Sequence, residues 1–192
     1  MGAITRRFRR EHEQIRRAAA CLDRFADRIE SDESFELRDV CDLLHFCEVF
    51  VDDAHQRCEE EVLFRALQRR TRMAERVGEL LREHVGERNA IAQLRRGLAA
   101  AICGHRAEWL HLAEQLRDYA SAQLEHSLKE DEVLLPLADD LLDEGTQAEL
   151  DRRCTELERG LDVARHEHLH ARLEEIARRC GSILPESPLG SV

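Results

Sequence analysis

A nine-residue segment of this chain recurs in altered form, and that repeat limits what it can fold into more tightly than any other feature. His55-Gln-Arg-Cys-Glu59-Glu-Glu-Val-Leu63 aligns with His126-Ser-Leu-Lys-Glu130-Asp-Glu-Val-Leu134 at an offset of 71 residues, with five identities in nine. The triplet Arg10-Glu11-His12 recurs as Arg82-Glu83-His84 at an offset of 72. Each half therefore carries a segment with one histidine, followed by a segment with His-x-x-x-Glu, and the halves read as structural copies.

Around these motifs apolar residues recur at three- and four-residue steps, the period of an amphipathic helix with one buried stripe. Four such helices are predicted. The first, about 5–30, turns Phe8, His12, Ile15, Ala19, Leu22, Ala26 and Ile29 inward. The second, about 35–69, turns in Leu37, Cys41, Leu44, Val51, His55, Glu59, Val62 and Ala66. The third, about 74–102, offers Val77, Leu80, His84, Arg88, Ile91, Leu94 and Leu98. The fourth, about 106–142, offers Leu112, Leu116, Tyr119, Gln123, His126, Glu130, Val133 and Leu137, with a kink expected at Pro136. A fifth helix, about 146–180, has a weaker stripe through Val163, Leu169, Leu173 and Ile176. The expected organisation is an all-α bundle over 1–145, a C-terminal helix packed on it over 146–180, and a loose tail over 181–192. Only three prolines and nine glycines interrupt the helix-forming composition.

Residues four apart share a helix face, so His55 with Glu59 and His126 with Glu130 each present an imidazole and a carboxylate together. Any one of these histidines alone reads most simply as a satisfied core residue. Six together do not. Burying two carboxylates and four imidazoles without a cation costs several kcal/mol per charged group, whereas metal coordination stabilises the deprotonated forms. The predicted metal ligands are therefore His12, His55, Glu59, His84, His126 and Glu130, arranged to hold two ions with the glutamates between them.

A formal charge of -11 and a pI near 5.4 argue against nucleic-acid or anionic-membrane partners, which would be repelled at long range. No apolar run approaches the ~20 residues of a bilayer span, and the N-terminal stretch lacks the apolar core of a secretion signal, so a cytoplasmic location is expected. The seven cysteines contain no CxxC pair, which suggests neither a disulfide framework nor a zinc knuckle.

The order His, His-x-x-x-Glu, His, His-x-x-x-Glu resembles the hemerythrin-like proteins, the HHE cation-binding family, over about Phe8 to Ala138. The family's Glu-Glu-x-x-Leu-Phe-Pro is matched by Glu59-Glu60-Glu61-Val62-Leu63-Phe64-Arg65 and by Glu130-Asp131-Glu132-Val133-Leu134-Leu135-Pro136. The resemblance implies an antiparallel up-down four-helix bundle with a non-haem di-iron centre. It implies His12, His55, His84 and His126 as terminal ligands, with Glu59 and Glu130 bridging. Arg88 departs from the pattern, because dioxygen-carrying relatives have a further histidine there and a guanidinium cannot ligate a metal. The site reads as one ligand short, which shifts the expectation from reversible carriage towards redox chemistry on peroxide, nitric oxide or dioxygen. His166 and His170 flank the apolar stripe of the fifth helix, where many bacterial relatives carry a similar His-Glu-x-x-His segment, so the alternatives are that one of them fills that place or that both only support packing.

The same segment matches the HExxH pattern of zinc proteases, but an all-α chain with no accompanying sheet or third ligand makes that a decoy. Glu108-x-x-His111 and Glu167-x-x-His170 match half a ferritin-type motif, a minor rival. His45, His105 and His168 fall outside the constellation, while Tyr119, Cys58 and a Glu87–Arg88 pair stand near it without an assigned role. The expected function is binding, with reduction or disproportionation, of a small oxidant. The rival class is a non-enzymatic gas sensor or carrier, or an iron-handling protein, whose state a separate protein partner reads.

Overall fold

The computed structural model describes residues 1–68, 73–159 and 163–181, with side chains throughout except at 163–167. All regular structure among the described residues is helical. The elements are α1 (Ala3–Glu30), α2 (37–68), α3 (Ala74–Cys103), α4 (106–141), α5 (Glu144–Glu158) and α6 (Val163–Cys180). The helix expected over 146–180 is thus present as two, α5 and α6. Residue 69, at the expected end of the second helix, lies outside the described residues, as do residues 182–192 of the expected tail.

Short connections force neighbouring helices to run antiparallel, and the cross-helix pairs record it. Along α1 and α4, Thr5 Oγ1 donates to Asp139 at 2.8 Å, His12 meets Asp131, and Arg117 donates to Asp27 at 2.9 Å. Along α2 and α3, Glu48 pairs with Arg95, Gln56 with Glu87 and Glu60 with Arg88. Lys129 of α4 reaches Glu83 of α3 at 2.9 Å. The result is an up-down-up-down bundle. Between α3 and α4 the chain turns through Gly104, where a Cβ would stand 2.8 Å from the Ala100 carbonyl oxygen. His105 then caps α4 in a reciprocal bond with Glu108. That capping role was not visible in the stripe pattern.

The core is two apolar clusters separated by a polar layer. One runs from Ile15 through Phe25, Leu43, Phe50, Ile91 and Tyr119 to α6, where Leu169, Leu173 and Ile176 join it. The other gathers Ile4, Phe8, Leu63, Phe64, Val77 and Leu134, with Leu150 and Cys154 of α5. Each fully buried Leu or Phe contributes about 1.5–3 kcal/mol, so both clusters hold the layer between them under firm packing. On every helix of the bundle, the predicted histidine falls between the two clusters.

The predicted stripes slip by one residue after each glutamate. Leu67, Leu134 and Ala138 are buried, whereas Ala66, Val133 and Leu137 are half-buried. The cause is local. Both Glu59–Leu63 and Glu130–Leu134 are wide turns of π-helix, with i→i+5 bonds that add a residue to the turn and advance the phase. A further wide-turned stretch, Cys47–Gln56, leads into His55. Pro136 follows the second wide turn directly. Two more expectations need correction: Leu37 is 36 % exposed at the first turn of α2, and on α3 the core-facing residue is Glu87, with Arg88 turned outward.

Candidate metal centre

All six predicted residues meet in the polar layer. His12, His55, Glu59, His84 and Glu130 are 0–2 % exposed and His126 is 5 %. They form two overlapping groups suited to a metal ion, His12–His55–Glu59–Glu130 and Glu59–His84–His126–Glu130, with one ligand atom per residue and all of these within 4.8 Å of one another. Both glutamates belong to both groups. Glu59 Oε1 lies 3.8 Å from His12 Nε2, and its Oε2 lies 3.4 Å from both His55 Nε2 and His84 Nε2. Glu130 Oε2 lies 3.1 Å from His12 Nε2, and its Oε1 lies 3.5 Å from His126 Nε2. His84 Nε2 and His126 Nε2 face each other at 3.0 Å.

A second layer of four carboxylates orients the imidazoles. Asp131 accepts from His12 Nδ1 at 2.8 Å, Glu11 from His55 at 2.8 Å, Glu60 from His84 at 2.9 Å and Glu83 from His126 at 2.8 Å. Each carboxylate has its own cation: Arg16 on Asp131, Arg7 on Glu11, Arg88 on Glu60 and Lys129 on Glu83. The arrangement obeys the repeat. The acid before each lone histidine, Glu11 or Glu83, supports the His-x-x-x-Glu histidine of its own half. The acid after each inner glutamate, Glu60 or Asp131, supports the lone histidine of the other half. Phe8 meets the His55 ring edge-on and Phe64 stacks on His84, both at 5.5 Å.

These bonds decide what the centre can hold. A carboxylate accepts only, so each Nδ1 carries a proton, and each ring in its neutral form turns a bare Nε2 lone pair inward. His12 Nε2, His55 Nε2 and all four oxygens of Glu59 and Glu130 are buried without a hydrogen-bond partner. Two acceptor nitrogens 3.0 Å apart cannot bond to each other. Lone pairs and carboxylate oxygens converging in a dry core fit a cation, which satisfies them all at once.

The same demand for positive charge sets the direction of the pKa shifts. Burial alone would lower the His12, His84 and His126 pKa values, yet bonds and charges from the surrounding carboxylates outweigh it. His84 is pushed up to about 10. Burial would raise Glu59, but His55, His12 and His84 hold it well below the usual carboxylate range. Glu83, bonded to His126, is held down to about 2.

Beside the layer, Glu87 is 5 % exposed, and burial raises its pKa. It accepts from Gln56 Nε2 at 2.6 Å, while Gln56 Oε1 accepts from Arg88 at 2.8 Å. Glu87 and Arg88 therefore do not pair directly; Gln56 stands between them. His170 sits edge-on to Phe50 at 4.6 Å and is in neither metal-holding group. The side chain of His166 lies outside the described residues. Tyr119 is 2 % exposed, with its hydroxyl beside the Cys47 thiol. Cys58 is buried, with its thiol 3.8 Å from the Cys154 carbonyl oxygen.

The supporting acids were missed as a set. Their signal lay in the repeat itself, in the glutamates preceding His12 and His84 and the acids following Glu59 and Glu130. Glu11→Gln and Glu83→Gln are each expected to weaken metal binding about 10–100-fold. Metal titration monitored by calorimetry checks this, and because each acid serves one group, the defect should fall on one binding step.

A family model described as the hemerythrin HHE cation binding domain matches residues 3–138. No curated protein matches the chain.

Proposed function

The chain belongs to the hemerythrin family of HHE cation-binding domains, and from that premise we propose that it is a non-haem di-iron protein that binds and reduces or disproportionates a small oxidant, with peroxide, nitric oxide and dioxygen as the substrates. The observation that carries this reading is the membership of Glu59 and Glu130 in both metal-holding groups. In it, His12 and His55 would hold one iron and His84 and His126 the other, with Glu59 and Glu130 available to both. The donor set is imidazole and carboxylate without thiolate, which suits iron.

Bound iron supplies reversible one-electron changes. The remaining work is done by the chain. The four Nδ1 bonds fix the imidazole tautomers and aim the lone pairs. Glu59 and Glu130 offset the cationic charge, and Phe8 and Phe64 keep water from the ring faces of His55 and His84. Arg88 is committed to Gln56 and Glu60, so the place of the further histidine in dioxygen carriers contributes no ligand here. That favours reaction with an oxidant over reversible carriage. No helix of the described residues is long and apolar enough to cross a membrane, which accords with a place in the cytoplasm.

Iron-loaded protein given excess peroxide should consume many equivalents per chain, followed by absorbance and a dioxygen electrode, and metal-stripped protein should consume almost none. Consumption that stops near one equivalent per site would end the enzymatic reading and leave a sensor. The sensor reading has its own support, because Arg7 joins Glu11 of the second layer to Glu158 and Asp151 of α5.

A further inference from the structure

The internal repeat gives the buried layer two equivalent approaches, one beside Glu11 and His55 and one beside Glu83 and His126. They are treated differently. The groove beside Glu11 is walled by the C-terminal helices, through Glu158, His170 and Glu174, and Arg7 spans it to pair with Glu158. α5 and α6 pack chiefly on α1 and α2, and the approach beside Glu83 has no such cover among the described residues.

That second approach is a cleft of about 400 Å³ between α3 and α4. Small residues, Gly86, Ala90 and Ala122, leave it room. Four carboxylates line it, Glu83, Glu87, Asp118 and Glu125, against one ammonium, Lys129, which is already paired with Glu83. Tyr119, 2 % exposed, also lines the cleft, with its hydroxyl beside the Cys47 thiol. Glu87 lies at the inner end, with Oε1 3.7 Å from His126 Nδ1. An anion entering here is repelled, whereas a hydrated divalent cation meets carboxylates from the mouth to the edge of the layer.

We infer that the α3–α4 cleft is the route by which a divalent cation reaches the buried centre, and that the guanidiniums of Arg7 and Arg10, which line the equivalent groove on the other face, disfavour a cation there. The inference rests on the metal-centre reading, and the test separates the two. Metal-stripped protein is mixed anaerobically with ferrous iron, and the iron still free is trapped with a chromogenic chelator at successive times. Asp118→Asn/Glu125→Gln removes two exposed charges at the mouth. Gly86→Phe narrows the cleft from an open position, where nothing lies within 4 Å of a Cβ.

The double variant should load roughly 3–10-fold more slowly at low salt, with the difference shrinking at high salt. Gly86→Phe should load slowly at every salt concentration. Both should reach the wild-type metal content, and Glu174→Gln, on the groove lined by Arg7 and Arg10, should load at the wild-type rate. Wild-type rates in both cleft variants, or slowing confined to Glu174→Gln, would overturn the route while leaving the centre intact. A wild-type chain that takes up no iron would instead remove the reading on which the route rests.

Discussion

Glu59→Ala and Glu130→Ala should each cost the protein both cations, whereas His12→Ala and His126→Ala should each weaken one. The asymmetry follows from position. Each glutamate belongs to both metal-holding groups, and each histidine to one. Glu59 Oε2 is equidistant, at 3.4 Å, from a histidine of either group, and the two oxygens of Glu130 divide between His12 and His126. Losing one carboxylate leaves either group with three donors and one negative charge fewer, in a buried layer. Removing one partner from a buried charged set costs about 3–5 kcal/mol, which is two to nearly four orders of magnitude in affinity. Elemental analysis after dialysis reads this directly. A Glu59→Ala protein that keeps one ion tightly bound would show that this glutamate serves a single group.

Stripping the metal should lower the thermal midpoint, and the loss should grow with pH. A ligand at 1,000 times its dissociation constant stabilises the folded state by about 4 kcal/mol, roughly 8–16 °C for a chain of this size. The pH dependence comes from the imidazoles. With no cation present, His12, His84 and His126 hold protons more tightly when folded, because their carboxylates outweigh the effect of burial. A raised pKa contributes stability in full below the unfolded value near 6.5, and that contribution is lost as pH rises towards the folded value, about 10 for His84. Loaded protein holds these rings deprotonated on the metal, and its affinity strengthens as competing protons leave. The gap between loaded and stripped midpoints should therefore widen from pH 6.5 towards 10. Calorimetric scans of both forms across that range check the sign, and a gap that narrows would contradict the role of the carboxylate-bound imidazoles.

How much of this was legible beforehand can be judged residue by residue. The bundle and the convergence of the six site residues followed from helical periodicity, because a stripe that places His55 four residues before Glu59 survives any modest change of helix end. What periodicity misplaced lies beyond the glutamates. A constant step puts Ala66 and Leu137 inward, but the wide turns at Glu59 and Glu130 advance the phase and bury Leu67 and Ala138 instead. Nothing in a hydrophobic pattern announces an i→i+5 turn.

The supporting acids were hidden for another reason. Glu11, Glu60, Glu83 and Asp131 look like ordinary charged neighbours on a solvated face, and only the cross-helix geometry shows each one bonded to a histidine of a different helix. Arg88 was read as facing the vacancy; it turns outward to Glu60 because Glu87, one residue earlier, takes the buried position against Gln56. The C-terminal segment forms two helices, one ending at Glu158 and the next beginning at Val163, where its weak stripe gave no boundary.

The most direct test of the central claim is an anaerobic titration of metal-stripped protein with ferrous iron, counting equivalents bound. A site in which Glu59 and Glu130 both serve two groups predicts saturation at about two irons per chain, with Glu59→Ala and Glu130→Ala binding neither tightly. Saturation at one iron, or a folded chain that binds none, would contradict it.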